Sequence, residues 1–405
     1  MQGFSANPPW DEEPTERFRC AGESPLARRG RVAKTGGGIE NAVARPDEFA
    51  EGSLAMKPLV SILIPAYNAE RWIGYTLKSA VAQTWQRKEI IVVDDGSTDG
   101  TAAIARGFAS KELKVVSTSN QGLSGAVNHA IKLCQGEYIQ ELDSDDLLSS
   151  DKIERQLAAL RECDSKRILL SSPWAYFYHR PRFARFIPNS LWNDLSPTEW
   201  LLRKMGENLH MQNATWLVSR ELIEEAGPWD TRLQYDQDGE YFARVVTASE
   251  GTRFVPEGRV FYRNSSSTRI SYIGNSDVKK NSLLLSMMMH IQYLRSLEDS
   301  ERVRKACLTY LQNWYDNFYP DRPDLVALCQ ALAEELQGGL EEPRFSRKFA
   351  WIKPVFGRKA ARWAQRVLPE TKASWLKRWD QAMFKFETRG ASFAVPSARS
   401  VDQED

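Results

Sequence analysis

Three acidic stations hold the side chains of this sequence best suited to chemistry. They are Asp94-Asp95, Asp143-Ser144-Asp145-Asp146, and Asp238 within Gln237-Asp238-Gly239-Glu240. The first two follow directly on the apolar runs Ile90-Ile91-Val92-Val93 and Tyr138-Ile139. Each run reads as a buried strand, and carboxylates at strand ends in an open α/β sheet face the crevice where ligands bind. Two or three carboxylates side by side repel one another unless a cation sits among them. Asp145 and Asp143 are therefore the candidate ligands of a hard divalent cation, Mg²⁺ or Mn²⁺. Such an ion takes one or two protein carboxylates and completes its shell with phosphate and water. Asp94 and Asp95, at a strand-to-helix turn, are candidate acceptors for the N–H of a base or the hydroxyls of a ribose. An ordinary capping turn is the competing reading of Asp94 to Asp99 taken alone.

The elements that must position these groups follow from periodicity. Val60 to Ile64, Ile90 to Val93, Leu113 to Val116 and Tyr138 to Leu142 read as strands. Segments of helical period lie between them, with Asn68, Thr98 or Asp99, and Ser124 as capping candidates. Strand–helix alternation at this spacing predicts a mostly parallel sheet covered by helices on both faces. A helix is expected over 152–160. The stretch 171–213, rich in aromatics and proline, is expected to form loops or a short strand lining a binding face. Val260 to Tyr262 reads as a last strand. After Lys279 the pattern turns helical, with Leu283, Met287, His290, Ile291 and Leu294 on one stripe.

In combination, these segments resemble the family 2 glycosyltransferases. Val60 to Asn68 is similar to the opening strand of that family and Val92 to Thr101 to its base- and ribose-binding turn. Asn120-Gln121-Gly122-Leu123-Ser124 looks like the following loop, Leu142 to Asp146 the metal motif, and Trp216 to Asp230 the segment before the catalytic acid. The resemblance covers roughly Leu59 to Arg269. It implies a nucleotide-diphospho-sugar transferase fold of GT-A type, with Asp238 as the general base of an inverting transfer and Asp236 as the runner-up. It also implies a donor site formed by Pro65, Tyr67, Asn68, Asp94, Asp95, Asn120, Gly122, Ser124 and Asp143. The chain departs from the pattern in three places. Gln237 stands where many relatives carry Glu, which should leave Asp238 somewhat more acidic than in an acidic pair. Val127 stands where an Arg is frequent, so Arg263 and Arg269 become the candidates for neutralising a diphosphate. No His follows Tyr262-Arg263 to complete a metal shell.

The partners expected on this basis are a nucleotide-diphosphate sugar donor and a glycan or lipid-linked acceptor, in cell-surface polysaccharide synthesis. A net charge of +1 over 405 residues gives no reason to expect nucleic acid. Five scattered cysteines with no metal-binding spacing fit reduced thiols in the cytoplasm. Trp174, Tyr176, Phe177, Trp192, Trp216 and Trp229 are candidate acceptor contacts, and His210 a candidate for orienting a hydroxyl. The expected organisation is a flexible extension over 1–55, a catalytic domain over 56–275, a helical extension over 276–340 and a basic tail over 341–405. Lys and Arg interleaved with Trp351, Trp363, Trp375, Trp379 and Phe384 suit peripheral contact at the inner face of a membrane. Single-sugar transfer is favoured over processive synthesis, because Trp375 to Trp379 lacks the Gln of a Gln-x-x-Arg-Trp motif. Two other readings remain open. A nucleotidyltransferase forming sugar nucleotides needs a Gly-rich basic loop where this chain has Pro65 to Glu70. A non-catalytic nucleotide-sugar-binding module would leave the three acidic stations without a role.

Overall fold

The computed structural model describes residues 57–163, 165–264, 273–274, 276–343, 355, 357 and 377–387. The extension over 1–55, Arg269, Trp351, Trp363 and Trp375 lie outside the described residues. A five-stranded sheet runs in the order β3 (Leu113–Ser117), β2 (Lys88–Asp94), β1 (Val60–Ala66), β4 (Tyr138–Glu141), β8 (Val218–Ser219). All contacts are parallel except β4 with β8. Strand β1 is central and buried at all seven positions, which is why all its residues but Ser61 are apolar. Its one hydroxyl is satisfied internally: Ser61 Oγ donates to Glu89 at 2.6 Å and accepts from the Gly136 N–H at 2.8 Å. A Cβ at Gly136 would collide with that Oγ, so the tight approach requires glycine.

Helices α1 (Ile73–Val81), α2 (Thr101–Arg106), α3 (Gly122–Leu133) and α4 (Lys152–Leu160) connect or follow these strands. Two of the expected caps fall differently. Asn68 lies upstream of α1 in a left-handed conformation (φ 49°), and its side chain binds another loop. Ser124 is inside α3, which starts at the left-handed Gly122 (φ 76°). Asp99 does bind the first turn of α2, accepting from the Thr101 N–H at 3.0 Å.

The stretch 171–213 holds the short strand expected there and, in addition, a helix. Strand β5 (Leu147–Leu148) pairs with β10 (Val260–Arg263), which also pairs with β7 (Trp174–Phe177). Strand β6 (Ile168–Ser171) pairs with β9 (Gly251–Phe254). Helix α5 (Pro197–Gly206) is also part of it, opened by Ser196, whose Oγ accepts from the Glu199 N–H at 3.3 Å. Ser-Pro-Thr-Glu is a capping-box sequence with proline at the first helical position, a signal sufficient to find α5. Helices α6 (Arg220–Ala226) and α7 (Gln237–Ala248) complete this half.

Helices α8 (Asp277–Leu297), α9 (Glu301–Trp314) and α10 (Pro323–Glu335) follow. Leu283, Met287, Ile291 and Leu294 are buried together, as their stripe predicts, in the hydrophobic cluster that also holds β1. The three helices thus share the core of the sheet, α8 lying against α7 and α9 against α5. Residues 377–387 form a further helix. Its Phe384 is buried against Trp72, Tyr75 and His179, and its Asp380 accepts from Arg180 Nε at 2.6 Å. Trp379 is half exposed and lies over Arg180. Phe384, expected to face a membrane, is therefore an interior residue. Trp72, Tyr75 and His179 supply the apolar surface that its ring covers.

Candidate functional site

The parallel strands β1, β2 and β4 end on one edge of the sheet, and a cleft of about 1260 Å³ opens there. Of the residues expected to form the donor site, it brings together Pro65, Tyr67, Asn68, Asp95, Asn120, Gly122, Asp143 and Arg263, with Asp145 and Asp238. Asp94 and Ser124 are buried and do not line it. Asp94 accepts from the Ser97 N–H at 3.3 Å and shapes the turn from within.

The mouth of the cleft is built by loops that pin one another. Asn68 Oδ1 accepts from the Thr98 N–H at 2.8 Å, and the Asn68 N–H donates to Ser97 Oγ at 3.0 Å. Asp95 accepts from the Gln121 and Gly122 N–H groups at 2.8 and 2.9 Å, and from the Thr118 hydroxyl at 3.2 Å. Its carboxylate therefore anchors the start of α3 while lining the cleft.

At the end of β4 the four-residue acidic run divides by direction. Asp146 points inward and accepts from the Arg263 N–H and from Gln212 Nε2, both at 2.7 Å. Asp143 accepts from Asn213 Nδ2 at 3.0 Å and faces the cleft. Burial, then the neighbouring Asp145 charge, pushes its carboxyl up to about 7. Glu141, which no motif signalled, sits behind it, and burial raises it well above the usual carboxylate range. Arg263 donates from Nε to the Asp145 carbonyl at 2.6 Å and stacks between Trp72 and Phe177 at 4.0 and 4.4 Å. It holds the acidic loop in shape and carries the cation at this end, together with Arg71. Among the described residues, no group of three or more His, Cys, Asp or Glu is arranged to hold a metal ion.

Asp238 lies in the first turn of α7. Burial, followed by the Asp236 charge, raises its carboxyl to about 6, against the opposing pull of the Gly239 N–H and Lys204. Desolvation of the ionised form is the larger cause, so the carboxyl stands above its ordinary value even with the uncharged Gln237 beside it. Asp236 is left-handed (φ 59°), and a Cβ on Gly239 would overlap its carboxylate. Helices α8 and α9 brace this turn from behind. Ser286 Oγ donates to Asp236 at 2.5 Å. His290 Nε2 is 2.8 Å from the Gly239 carbonyl and its Nδ1 is 2.9 Å from the Tyr310 hydroxyl. Burial depresses the imidazole to about 4, so it is neutral at pH 7. Nε2–H must then donate to the carbonyl while Nδ1 accepts from Tyr310. These three supports were not visible as site residues in the sequence, where His290 reads only as part of an apolar stripe.

The candidate aromatics divide as well. Tyr176 and Trp216 line the cleft, whereas Trp174, Phe177, Trp192 and Trp229 do not. Trp229 is stacked on Tyr241 at 4.6 Å inside the core. His210 lines the cleft with its ring 4.8 Å from Trp174, and burial lowers it to about 4.

A family model described as glycosyl transferase family 2 matches residues 61–227. A glycosyltransferase of Rickettsia typhi is 31% identical over 193 residues, covering 47% of this chain and 60% of that relative. The glycosyltransferase EpsJ of Bacillus subtilis is 31% identical over 228 residues, covering 54% of this chain and 65% of EpsJ. The chondroitin synthase of Escherichia coli is 39% identical over 120 residues, covering 29% of this chain and 18% of the synthase. The chain thus spans less than two thirds of each of these relatives. Among solved structures, S. aureus TarS 1-349 in complex with UDP-GlcNAc superposes with a TM-score of 0.55 at 17% identity, covering 68% of this chain and 81% of that one. That likeness speaks for a shared GT-A-type fold.

Proposed function

We propose, on the premise that residues 61–227 match the glycosyl transferase family 2 model, that the protein is an inverting glycosyltransferase. It moves one sugar from a nucleoside-diphosphate sugar to a glycan or lipid-linked acceptor of cell-surface polysaccharide. The observation that carries this reading is the single cleft shared by Asp143 and Asp145 at one strand end and Asp238 at a helix start. The Asp238 charge contributes to raising Asp143, so the two groups belong to one electrostatic site.

The nucleoside lies against Tyr67, Asn68 and the loop anchored by Asp95, with the diphosphate toward Arg71, Arg263 and the acidic loop. Asp143 and Asp145 fit a hard cation, because two carboxylates share the cleft there and the Asp145 charge, with burial, disfavours the charge of Asp143. A bound Mg²⁺ or Mn²⁺ would supply positive charge to the leaving diphosphate, with phosphate and water completing its shell. Asp238 accepts the proton of the acceptor hydroxyl as that oxygen forms its bond to the anomeric carbon. The bond from that carbon to the phosphate oxygen breaks, the electron pair leaves with the diphosphate, and the configuration inverts. A carboxyl raised to about 6 is ionised at neutral pH and still basic enough for this step. The nucleotidyltransferase reading is disfavoured locally, since Pro65 to Glu70 after β1 contains no glycine and Glu70 is tied to the Gly100 N–H at 2.9 Å.

The test is incubation with a panel of nucleoside-diphosphate sugars and Mn²⁺, reading free nucleoside diphosphate, beside nucleotide binding with and without the ion. Asp145→Ala should lose the ion-dependent part of nucleotide affinity and turnover. Nucleotide affinity indifferent to Mn²⁺ in the unaltered protein would remove the metal from the proposal.

A further inference from the structure

The cations lining the cleft are unevenly placed. Arg71 and Arg263 serve the end next to the acidic loop, and Lys204, on α5, belongs with Asp238. Lys204 is 6% exposed, yet among the described residues its ammonium makes no hydrogen bond and no ion pair. This fold closes ion pairs tightly where it uses them. Arg244 meets Glu240 at 2.8 Å and Arg180 meets Asp380 at 2.6 Å, both with at least one partner deeply buried. The Lys204 stem is buried and its ammonium keeps three unused donors at the wall of the cleft. Asp236 and Asp238 balance its charge in part at longer range, but Asp236 is bound to Ser286, and Asp238 loses its charge on taking a proton. The walls around Lys204 include Trp200, Asn208, His210, Tyr310 and Trp314. His210 is neutral there, so Lys204 is the one formal positive charge at this end of the lining among the described residues.

We propose that Lys204 is the specificity-determining residue of the acceptor subsite and binds an anionic group on the acceptor saccharide, next to the hydroxyl that Asp238 deprotonates. The substrate class is an acidic glycan unit, with the charge borne by a uronic carboxylate or by a phosphate ester. This rests on the glycosyltransferase reading, because it takes Asp238 to mark the acceptor side. An anion there meets an ammonium with free donors, which can form charge-assisted hydrogen bonds. Aromatic walls supply the flat apolar faces that sugar rings stack on.

The experiment uses the full chain with Mn²⁺ and the nucleoside diphosphate that binds it best. Binding of methyl glucuronide and of methyl glucoside is compared, since the pair differs only in a carboxylate for a hydroxymethyl, and glucose 6-phosphate forms a third arm. The unaltered protein should bind at least one anionic probe about tenfold more tightly than the neutral one, and the arm that responds tells carboxylate from phosphate. Lys204→Met should abolish the preference and Lys204→Arg should keep it, with nucleotide binding equal in all three proteins. Equal affinity for charged and neutral probes overturns the proposal, as does a preference that survives Lys204→Met. The probe comparison in the unaltered protein decides even if Lys204→Met folds poorly. Absence of any nucleotide binding would instead overturn the donor reading, so the two failures are distinguishable.

Discussion

Replacing Asp238 by Asn should abolish transfer and at the same time stabilise the protein, by an amount that depends on pH. The carboxyl goes from 3.8 to about 6 on folding, chiefly through burial. At about 1.4 kcal/mol for each tenfold change in acidity, ionised Asp238 costs up to about 3 kcal/mol of stability. The figure is an upper bound because the side chain still meets cleft water. The sign follows from proton counting. Between 3.8 and about 6 the folded state binds more protons than the unfolded one, so stability contributed by this group is present at low pH and is lost as pH rises. Asparagine cannot ionise and escapes that loss. Urea unfolding of both proteins at pH 4 and pH 7.5 should give nearly equal stabilities at the lower pH. At the higher pH Asp238→Asn should be more stable by about 1–3 kcal/mol. Transfer should fall about 100- to 10,000-fold with nucleotide affinity unchanged. The unaltered enzyme should lose rate below about pH 6 as its base takes a proton. A gap that is absent at pH 7.5, or the same at both pH values, refutes the burial argument. Normal transfer by Asp238→Asn refutes the assignment of the base.

Three further outcomes follow from the supports of the site. Ser286→Ala removes the donor to Asp236 and should cost about 1–3 kcal/mol in unfolding while lowering turnover more than nucleotide affinity. Equal losses in both would make Ser286 a general stabiliser. Gly239→Ala places a Cβ on the Asp236 carboxylate, so it should reduce transfer with nucleotide binding retained, and normal turnover would show that Asp236 can swing away. Asp380→Asn weakens the buried contact with Arg180, for which loss of a partner typically costs about 3–5 kcal/mol. Limited proteolysis should then cut near the 377–387 helix earlier than in the unaltered protein, and an identical digestion pattern would mean that Phe384 and the pairs of Glu387 with Arg180 and Arg182 hold the helix without it.

The sequence by itself determined the sheet and the edge at which the site lies. Unbroken apolar runs at β1 and β2 mark strands buried on both faces, and carboxylates can follow such runs only where the chain emerges at a ligand crevice. That is local information, carried by residues a few positions apart. What a given carboxylate does was not local. Asp143 and Asp146 are three residues apart, yet one faces the cleft and the other is satisfied by Gln212 and Arg263 from distant segments. Gln237 spares Asp238 one adjacent charge, but the burial that raises its carboxyl could not be read from its neighbours in sequence. Ser286, His290 and Tyr310 reach the turn of Asp236 to Gly239 from about 50 to 70 residues downstream, and Phe384 reaches Trp72 from still farther. Periodicity places a side chain on a face of its own element, but only packing decides which element that face meets. Desolvation and hydrogen bonding act through those meetings, so the acidity and orientation of the site belong to the tertiary structure.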